Sequence, residues 1–389
     1  MTAPDPPMNL LVSAGEASGD LHGARLLRSL TALRPDVRAF GMGGARLVEA
    51  GLDAVVRREA LSVVGITEVV EKLPAVRRAV RALVAAAAER RPDAAVLIDF
   101  PDFHALLARR LFRAGVPLVY YVSPQVWAWR RGRARTIARQ ARRIVTLFPF
   151  ETAIYRRLGA DAEWAGHPLV EEVAEDLASP SSMPEKQRRR LVLLPGSRGG
   201  EVARHWPVLA EAAARLARRF DLDVFAVRAP GLPEELFEGA AARGVVVTER
   251  DLHPLLASAD LAFVASGTAT LDAALCGAPM VVVYRTSALS HAIAKALVRL
   301  PWIALVNIVA GEAVVPELIQ DRLTVESLER EGEALLGSPE RLARMKGSLA
   351  RVARELGPPG ASARAADLVL SAIEPASGRK PSPAAGAAS

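Results

Sequence analysis

Leu261-Ala262-Phe263-Val264-Ala265-Ser266-Gly267-Thr268-Ala269-Thr270-Leu271-Asp272 is the stretch that decides how this chain is built. The apolar run reads as a buried strand. The small residues after it form a loop that opens a helix, so unpaired N–H groups and the positive helix end face outward beyond the sheet. Such a turn is a seat for phosphate. Thr268 and Asp272 are four apart and share a helix face, so hydroxyls and amides of Ser266, Gly267, Thr268 and Thr270 can hold a diphosphate. The Asp272 carboxylate then takes ribose hydroxyls one turn deeper. The expected ligand is a nucleoside diphosphate, although a Gly/Thr-rich turn with a capping hydroxyl serves purely structural ends in many α/β proteins.

The same design recurs upstream. Leu191-Val192-Leu193-Leu194 reads as a buried parallel strand that runs into Pro195-Gly196-Ser197-Arg198-Gly199-Gly200-Glu201 and then a helical pattern over about 202–220. The guanidinium of Arg198 can fork onto phosphate oxygens, which its rigid plane of donors matches better than a lysine would. A surface arginine in a turn is the plainer reading. The chain has 50 basic residues, only five of them lysine, so position and not residue type singles out Arg198.

Working outward, strands and helices alternate along the whole chain, the mark of parallel sheets with crossover helices. Strands are expected near 9–14, 37–41, 94–99, 117–122 and 143–147, and again near 190–194, 222–228, 244–247, 260–265 and 280–284. Helices are expected near 20–33, 73–90, 103–114, 130–141, 150–158, 202–219, 233–242, 252–257, 268–276, 286–299 and 361–373. With 389 residues, 51% of them hydrophobic, the chain can bury two cores, and two α/β domains follow. Residues 1–170 form the first and 171–358 the second, joined where 171–190, charged and rich in Ser and Pro, has linker composition. The helix at 359–373 is expected to return to the first domain, and the Pro/Ser/Gly/Ala-rich tail 374–389 to be disordered.

The N-terminal residues lack the basic n-region of a signal peptide, and no uncharged apolar run reaches the ~18 residues of a membrane span. A single cysteine, Cys276, forms no internal disulfide and fits a reducing cytosol. The one D-x-D match, Asp221-Leu222-Asp223, lies between helix and strand and reads as a turn, so no metal is called for. A formal charge of +7 points to an anionic partner. Arg130, Arg131, Arg133, Arg135, Arg139, Arg142 and Arg143 follow Trp127 and Trp129, a combination that suits single-stranded nucleic acid, an anionic lipid or a phosphosugar.

The first half opens with Leu10-Leu11-Val12-Ser13 and the loop Ala14-Gly15-Glu16-Ala17-Ser18-Gly19-Asp20. The G-x-G-x-x-G spacing of a dinucleotide site is absent, and a carboxylate at Glu16 opposes a pyrophosphate. It suits a sugar hydroxyl, or simply complements the helix N-terminus. Further on, Val96-Leu97-Ile98-Asp99-Phe100-Pro101-Asp102-Phe103-His104 puts two aspartates at the carboxyl edge of a strand, where open α/β sheets place their ligands. Asp102 is a candidate general base, with Asp99 in reserve; it is equally a candidate N-cap of the following helix.

Six runs, in order, give the sequence a resemblance. Ser13 to Asp20, Ile98 to Phe103, Tyr121-Val122-Ser123-Pro124-Gln125-Val126-Trp127-Ala128-Trp129-Arg130, Gly166-His167-Pro168, Leu194 to Arg198 and Ser266 to Leu271 are similar to those of the lipid-A-disaccharide synthases. The resemblance covers about 9–330. It implies a GT-B fold, two Rossmann-like doubly wound domains facing a cleft that holds the active site, and an inverting glycosyltransferase without metal or cofactor. It implies UDP-2,3-diacylglucosamine as donor and 2,3-diacylglucosamine 1-phosphate as acceptor, giving a β-1,6 disaccharide and UDP at the cytoplasmic face of the inner membrane. Donor contacts are then Gly196, Ser197, Arg198, Ser266, Gly267, Thr268, Thr270, Asp272 and Asn307. Acceptor contacts are Ser18, Ser123, Gln125, Trp127 and Arg130, and Asp102, Asp99 and Glu16 are the catalytic set. Two departures stand out: Asp272 where the resemblance leads one to expect Glu, and Val306 before Asn307 where it leads one to expect Pro.

Acylated substrates imply a peripheral membrane contact. The run 61–66 and the stripe Leu73, Val76, Val80, Leu83, Val84 and Ala87 beside Arg77, Arg78 and Arg81 form one candidate, with the alternative that this is an ordinary core helix. The segment Leu289 to Ile303 is a second. A homodimer is left open. The rival readings are another GT-B enzyme, either a UDP-GlcNAc epimerase or a peptidoglycan-precursor transferase, and more remotely a nucleic-acid-binding protein without enzymatic activity.

Overall fold

Uninterrupted apolar runs form the centre of each sheet. In a computed structural model, which describes residues 7–61, 73–123, 131–287 and 301–373, every residue of β4 (Ala94–Ile98) and β11 (Leu261–Ala265) is buried. Parallel strands covered on both faces have this composition. The chain divides into two units, Met1–Gly166 with Gly360–Ser389, and His167–Pro359.

The first unit holds a seven-stranded parallel sheet in the order β3-β2-β1-β4-β5-β6-β7. Its other strands are β1 (Asn9–Ala14), β2 (Arg38–Gly43), β3 (Leu52–Arg57), β5 (Leu118–Tyr121), β6 (Ala141–Thr146) and β7 (Ala162–Trp164). The helices are α1 (Ala17–Leu33), α2 (Ala45–Glu49), α3 (Leu73–Arg90), α4 (Pro101–Arg113), α5 (Arg131–Gln140) and α6 (Pro149–Arg156). Val80 and Leu83 of α3, Phe103, Leu107 and Leu111 of α4, and Ile137 of α5 share one core with Leu11, Leu97 and Tyr120 of the sheet. Strand order reverses between β1 and β4, so their carboxyl ends diverge into a crevice.

The second unit repeats the scheme with six parallel strands, β10-β9-β8-β11-β12-β13. These include β8 (Arg189–Leu194), β9 (Leu222–Val227), β10 (Val245–Thr248), β12 (Met280–Tyr284) and β13 (Glu317–Ile319). Its helices are α7 (Leu169–Ala178), α8 (Gly199–Phe220), α9 (Leu252–Ser258), α10 (Ala269–Leu275), α11 (Leu305–Ala310), α12 (Val325–Leu336) and α13 (Pro339–Glu355). The reversal falls between β8 and β11. The last helix, α14 (Ala361–Ile373), belongs to the first unit and packs on α1. Arg143 donates to Leu368 O at 3.1 Å and to Ser371 Oγ at 2.6 Å, and Arg364 donates to Ala165 O at 2.8 Å.

Several expectations are corrected. The supposed linker begins as α7, whose buried Leu169 and Val173 give it a core face that its four acids, Glu171, Glu172, Glu175 and Asp176, disguise in the sequence. The helix expected over 233–242 is two short 3₁₀ turns, Glu234–Phe237 and Ala241–Arg243, on either side of Gly239, whose φ of +76° breaks the path. Most of the α3 stripe is core: Val80, Leu83 and Ala87 are buried and Val76 and Val84 pack against the same cluster, while Leu73 at the helix start is exposed. The run 62–66 and most of 289–303 lie outside the described residues. So does the tail 374–389. The arginine run is partly internal, since Arg133 pairs with Asp102, Arg142 bonds Ala372 O, and Arg143 holds Asp161 and α14.

Candidate active site

In the first unit Ala14 of β1 lies beside Ile98 of β4, which brings the loops after both strands together. Gly15 lies flat on Phe100, and a Cβ there would come within 2.0 Å of the ring. Any side chain there would require the Phe100 ring to move. Glu16 is the N-cap residue of α1, exposed, with no side-chain capping bond, and its carboxylate lies at the positive helix end. Two residues on, Ser18 Oγ donates to Asp99 Oδ2 at 2.9 Å.

Asp99 has a left-handed backbone, φ +39°, a conformation unfavourable for a residue with a Cβ. Burial pushes its carboxyl above the ordinary carboxylate range, and the Ser18 bond only partly opposes that. The support beneath is rigid. Phe100 stacks on Phe103 at 5.3 Å, and His104 meets Ser13 Oγ at 3.0 Å in a fully buried contact. Burial lowers the His104 pKa to about 3, so this imidazole is neutral.

Asp102 is the second residue of α4, behind Pro101, and Phe100 occupies the cap position. The N-cap alternative therefore fails, because proline at the first helical position moves the cap one residue earlier. Its side chain is 76% exposed and paired with Arg133 of α5. Ser123 is buried at the end of β5. Gln125, Trp127 and Arg130 lie outside the described residues.

In the second unit the loops after β8 and β11 meet in the same way. Gly196 has φ +125°, and a Cβ on it would meet Glu201 Oε2 at 2.9 Å and Ala265 at 3.8 Å. The loop is held from below by His205 of α8. Its Nδ1 donates to Pro195 O at 2.7 Å, and its Nε2 accepts from Arg285 N at 2.8 Å. That pairing fixes a neutral tautomer, and burial lowers the pKa in agreement. Ser197 is exposed beside Arg198, which caps α8, extends 76% exposed and touches Glu201 at 3.2 Å. The guanidinium is thus steered by one carboxylate and open to an anion.

On the adjacent loop Gly267 has φ +146° with open space around it, and Thr268 is exposed. Other expected contacts are engaged internally. Ser266 Oγ donates to Ile303 O at 2.9 Å, and Thr270, fully buried, donates to Gly267 O at 2.8 Å. Both shape the loop. Asn307 is buried and saturated: it donates to Val315 O and Glu317 Oε1 and accepts from Val314 N and Val315 N. These bonds make it a brace for the turn at 314–317. Asp272, 11% exposed, accepts from His253 Nε2 at 2.9 Å, whose Nδ1 bonds Asp176 at 2.6 Å. Sequence reading missed His205 and His253. The signal available was rarity, for the chain has only six histidines.

Two parallel sheets, each reversing its strand order at one point, give the chain the GT-B fold. The solved calicheamicin glycosyltransferase is similar at TM-score 0.62 and 17% identity, over 94% of this chain and 98% of that one. A putative UDP-N-acetylglucosamine 2-epimerase from Listeria monocytogenes gives 0.63 and 14%, over 94% and 95%.

The sequence pattern of the family described as lipid-A-disaccharide synthetase matches residues 10–369, and the chain belongs to that family. The lipid-A-disaccharide synthase of Myxococcus xanthus is 42% identical over 95% of this chain and 98% of its own length. That of Anaeromyxobacter dehalogenans (strain 2CP-1) is 44% identical over 93% and 96%. The protein is an enzyme of lipid A disaccharide synthesis, and the epimerase, peptidoglycan and nucleic-acid readings are not favoured. Among the described residues no helix is long and apolar enough to cross a membrane.

Proposed function

We propose that the enzyme condenses UDP-2,3-diacylglucosamine with 2,3-diacylglucosamine 1-phosphate, with inversion, to the β-1,6 disaccharide 1-phosphate and UDP. The observation that carries the mechanism is Asp99, strained in backbone, raised in pKa and hydrogen-bonded to Ser18. A base whose pKa lies nearer the working pH abstracts a proton more effectively, which favours Asp99 over the exposed, ion-paired Asp102. As the acceptor 6-oxygen bonds to the anomeric carbon, its proton passes to Asp99 and the bond from that carbon to the diphosphate oxygen breaks. The electron pair leaves on UDP. Arg198, with N–H groups and hydroxyls of Ser197, Gly267 and Thr268, meets the charge that develops there. Glu16 and Ser18 orient the acceptor hydroxyl, with Gln125, Trp127 and Arg130 assigned to the acceptor on sequence alone.

The membrane contact belongs to the outer face of α3, α4 and α5. Arg77, Arg78, Arg81, Arg109, Arg110, Arg113, Arg135 and Arg139 are exposed there, and the only acids in these helices are Glu89 and Asp102. Leu106 and Phe112, 48% and 49% exposed, stand among the α4 arginines. Apolar side chains within a basic helix face suit the anionic surface of the inner membrane on its cytoplasmic side. The test of the reaction is product analysis: the two diacylated sugars together should yield UDP and a β-linked disaccharide 1-phosphate in equal amounts. UDP release that does not depend on the acceptor, or an α linkage, contradicts it.

A further inference from the structure

We infer that His253 is a positioning residue of the donor site, holding the Asp272 carboxylate so that its second oxygen receives the ribose hydroxyls of the nucleotide. The inference rests on the proposed reading in which the 266–272 loop takes the donor. Asp272 lies one turn past Thr268, and its amide bonds the Thr268 carbonyl at 3.2 Å. An aspartate has a short reach, so where its carboxylate sits depends on what grips it. His253 Nε2 grips Oδ1 at 2.9 Å in a buried contact, and Asp176 Oδ2 fixes the opposite ring nitrogen at 2.6 Å. The three side chains come from α7, α9 and α10, so the ring can neither rotate nor retreat.

A ring with a carboxylate on each nitrogen must donate from both, which only the imidazolium can do. Burial works against that charge, but the bonds to Asp272 and then Asp176 outweigh it, and the pKa lies above its ordinary value. Asp176 and Asp272 are the charged groups that face the ring. The Cys276 thiol, just past the end of α10, lies near both carboxylates and is pushed up to about 12, first by burial, so it stays neutral. On β8, Arg190 is turned to Ser258 Oγ at 3.0 Å, at the far end of α9. As pH rises through the raised pKa one N–H is lost, and one carboxylate loses its partner. The imidazolium grips both carboxylates, and at high pH the grip on Asp272 is lost in the tautomer whose remaining proton sits on Nδ1 and serves Asp176.

The experiment compares His253→Ala, His253→Gln and Asp272→Ala in the full chain, with KM for donor and acceptor, kcat and Tm measured for each. His253→Ala should raise donor KM about tenfold with acceptor KM unchanged, as expected for loss of a hydrogen bond to a charged group. His253→Gln, whose amide still donates one bond, should recover part of the loss. Donor KM of the parent should climb with pH as the imidazolium deprotonates, and that climb should vanish in His253→Gln. Unchanged donor KM in His253→Ala, or equal losses in both KM values tracking Tm, overturns the inference while leaving the donor site standing if Asp272→Ala still raises donor KM. If Asp272→Ala leaves donor KM unchanged, the donor reading of this loop fails as well.

Discussion

At the carboxyl edge of β1 and β4 the exposed or half-buried polar side chains include Glu16, Ser18, Asp99 and Asp102, whereas at the equivalent edge of β8 and β11 they include Ser197, Arg198, Ser266 and Thr268. The topology is the same at both places, a parallel sheet whose strand order reverses at that point. What differs is the sign of the chemistry. The first edge offers a proton acceptor kept from ionising easily, and the second offers donors to an anion with a guanidinium at their head. A fold of this kind supplies the crevice, and a handful of loop residues decide which half of a group transfer each crevice serves.

The helix layers differ as well. In the second unit α8 and α12 are laced by pairs of mixed sign, Arg215 with Glu211 and Glu329, and Arg219 with Glu333. Over α3 to α5 of the first unit the described exposed arginines outnumber the acids nine to two, and with Arg90 paired to Asp53 this still leaves an excess of positive charge. Pairs of mixed sign solvate and brace a face, while an excess of one sign attracts a partner of the other.

The largest effect expected from breaking this contrast is at the base. Asp99→Asn should lower turnover by about 10²–10⁴-fold with donor KM little changed, since an amide cannot take the proton. Asp102→Asn should lose less than about tenfold, because it alters an exposed ion pair. Steady-state kinetics of the two variants decide between them, and a collapse confined to Asp102→Asn moves the base to that residue.

A smaller effect is expected at the opposite edge. Arg198→Ala should cost about 1.5–3 kcal/mol of transition-state and donor binding, roughly a tenfold to hundredfold fall in kcat/KM. Normal kinetics would remove Arg198 from the site. The smallest effect concerns the helix layer: Arg109→Ser should weaken sedimentation with anionic vesicles about fivefold, from roughly 1 kcal/mol per basic residue near such a surface. Binding to neutral vesicles should not change, and an equal loss on both kinds of vesicle would assign the effect to folding.

What the sequence disclosed was decided by how local the physics is. Strands such as 9–14 and 261–265 were legible because burial on both faces leaves only apolar residues, and the glycine loops after them because left-handed or crowded backbone admits nothing else. The short edge strands β3 and β7 were not, since an edge strand is half polar. The helix α7 was hidden by its acids, and α12 and α13 carried no loop motif to draw attention to them. Roles that depend on distant partners were the least legible. Nothing near Asp272 in the sequence shows that its carboxylate is held by His253, 19 positions away, which Asp176 holds in turn. The bonds of Asn307 to Glu317 and the 314–315 backbone are likewise invisible in the sequence. Asp102 reads as a cap until Pro101 shifts the helix start.

The division of labour between the two edges is tested most directly by titrating UDP into Asp99→Asn and Arg198→Ala side by side with the parent enzyme. Asp99→Asn should bind UDP with the parent's affinity, and Arg198→Ala should bind it at least about tenfold more weakly, the loss of one charge-assisted contact. Weakened UDP binding in Asp99→Asn, together with parent-like binding in Arg198→Ala, would contradict the assignment of the nucleotide to the second unit and of the base to the first.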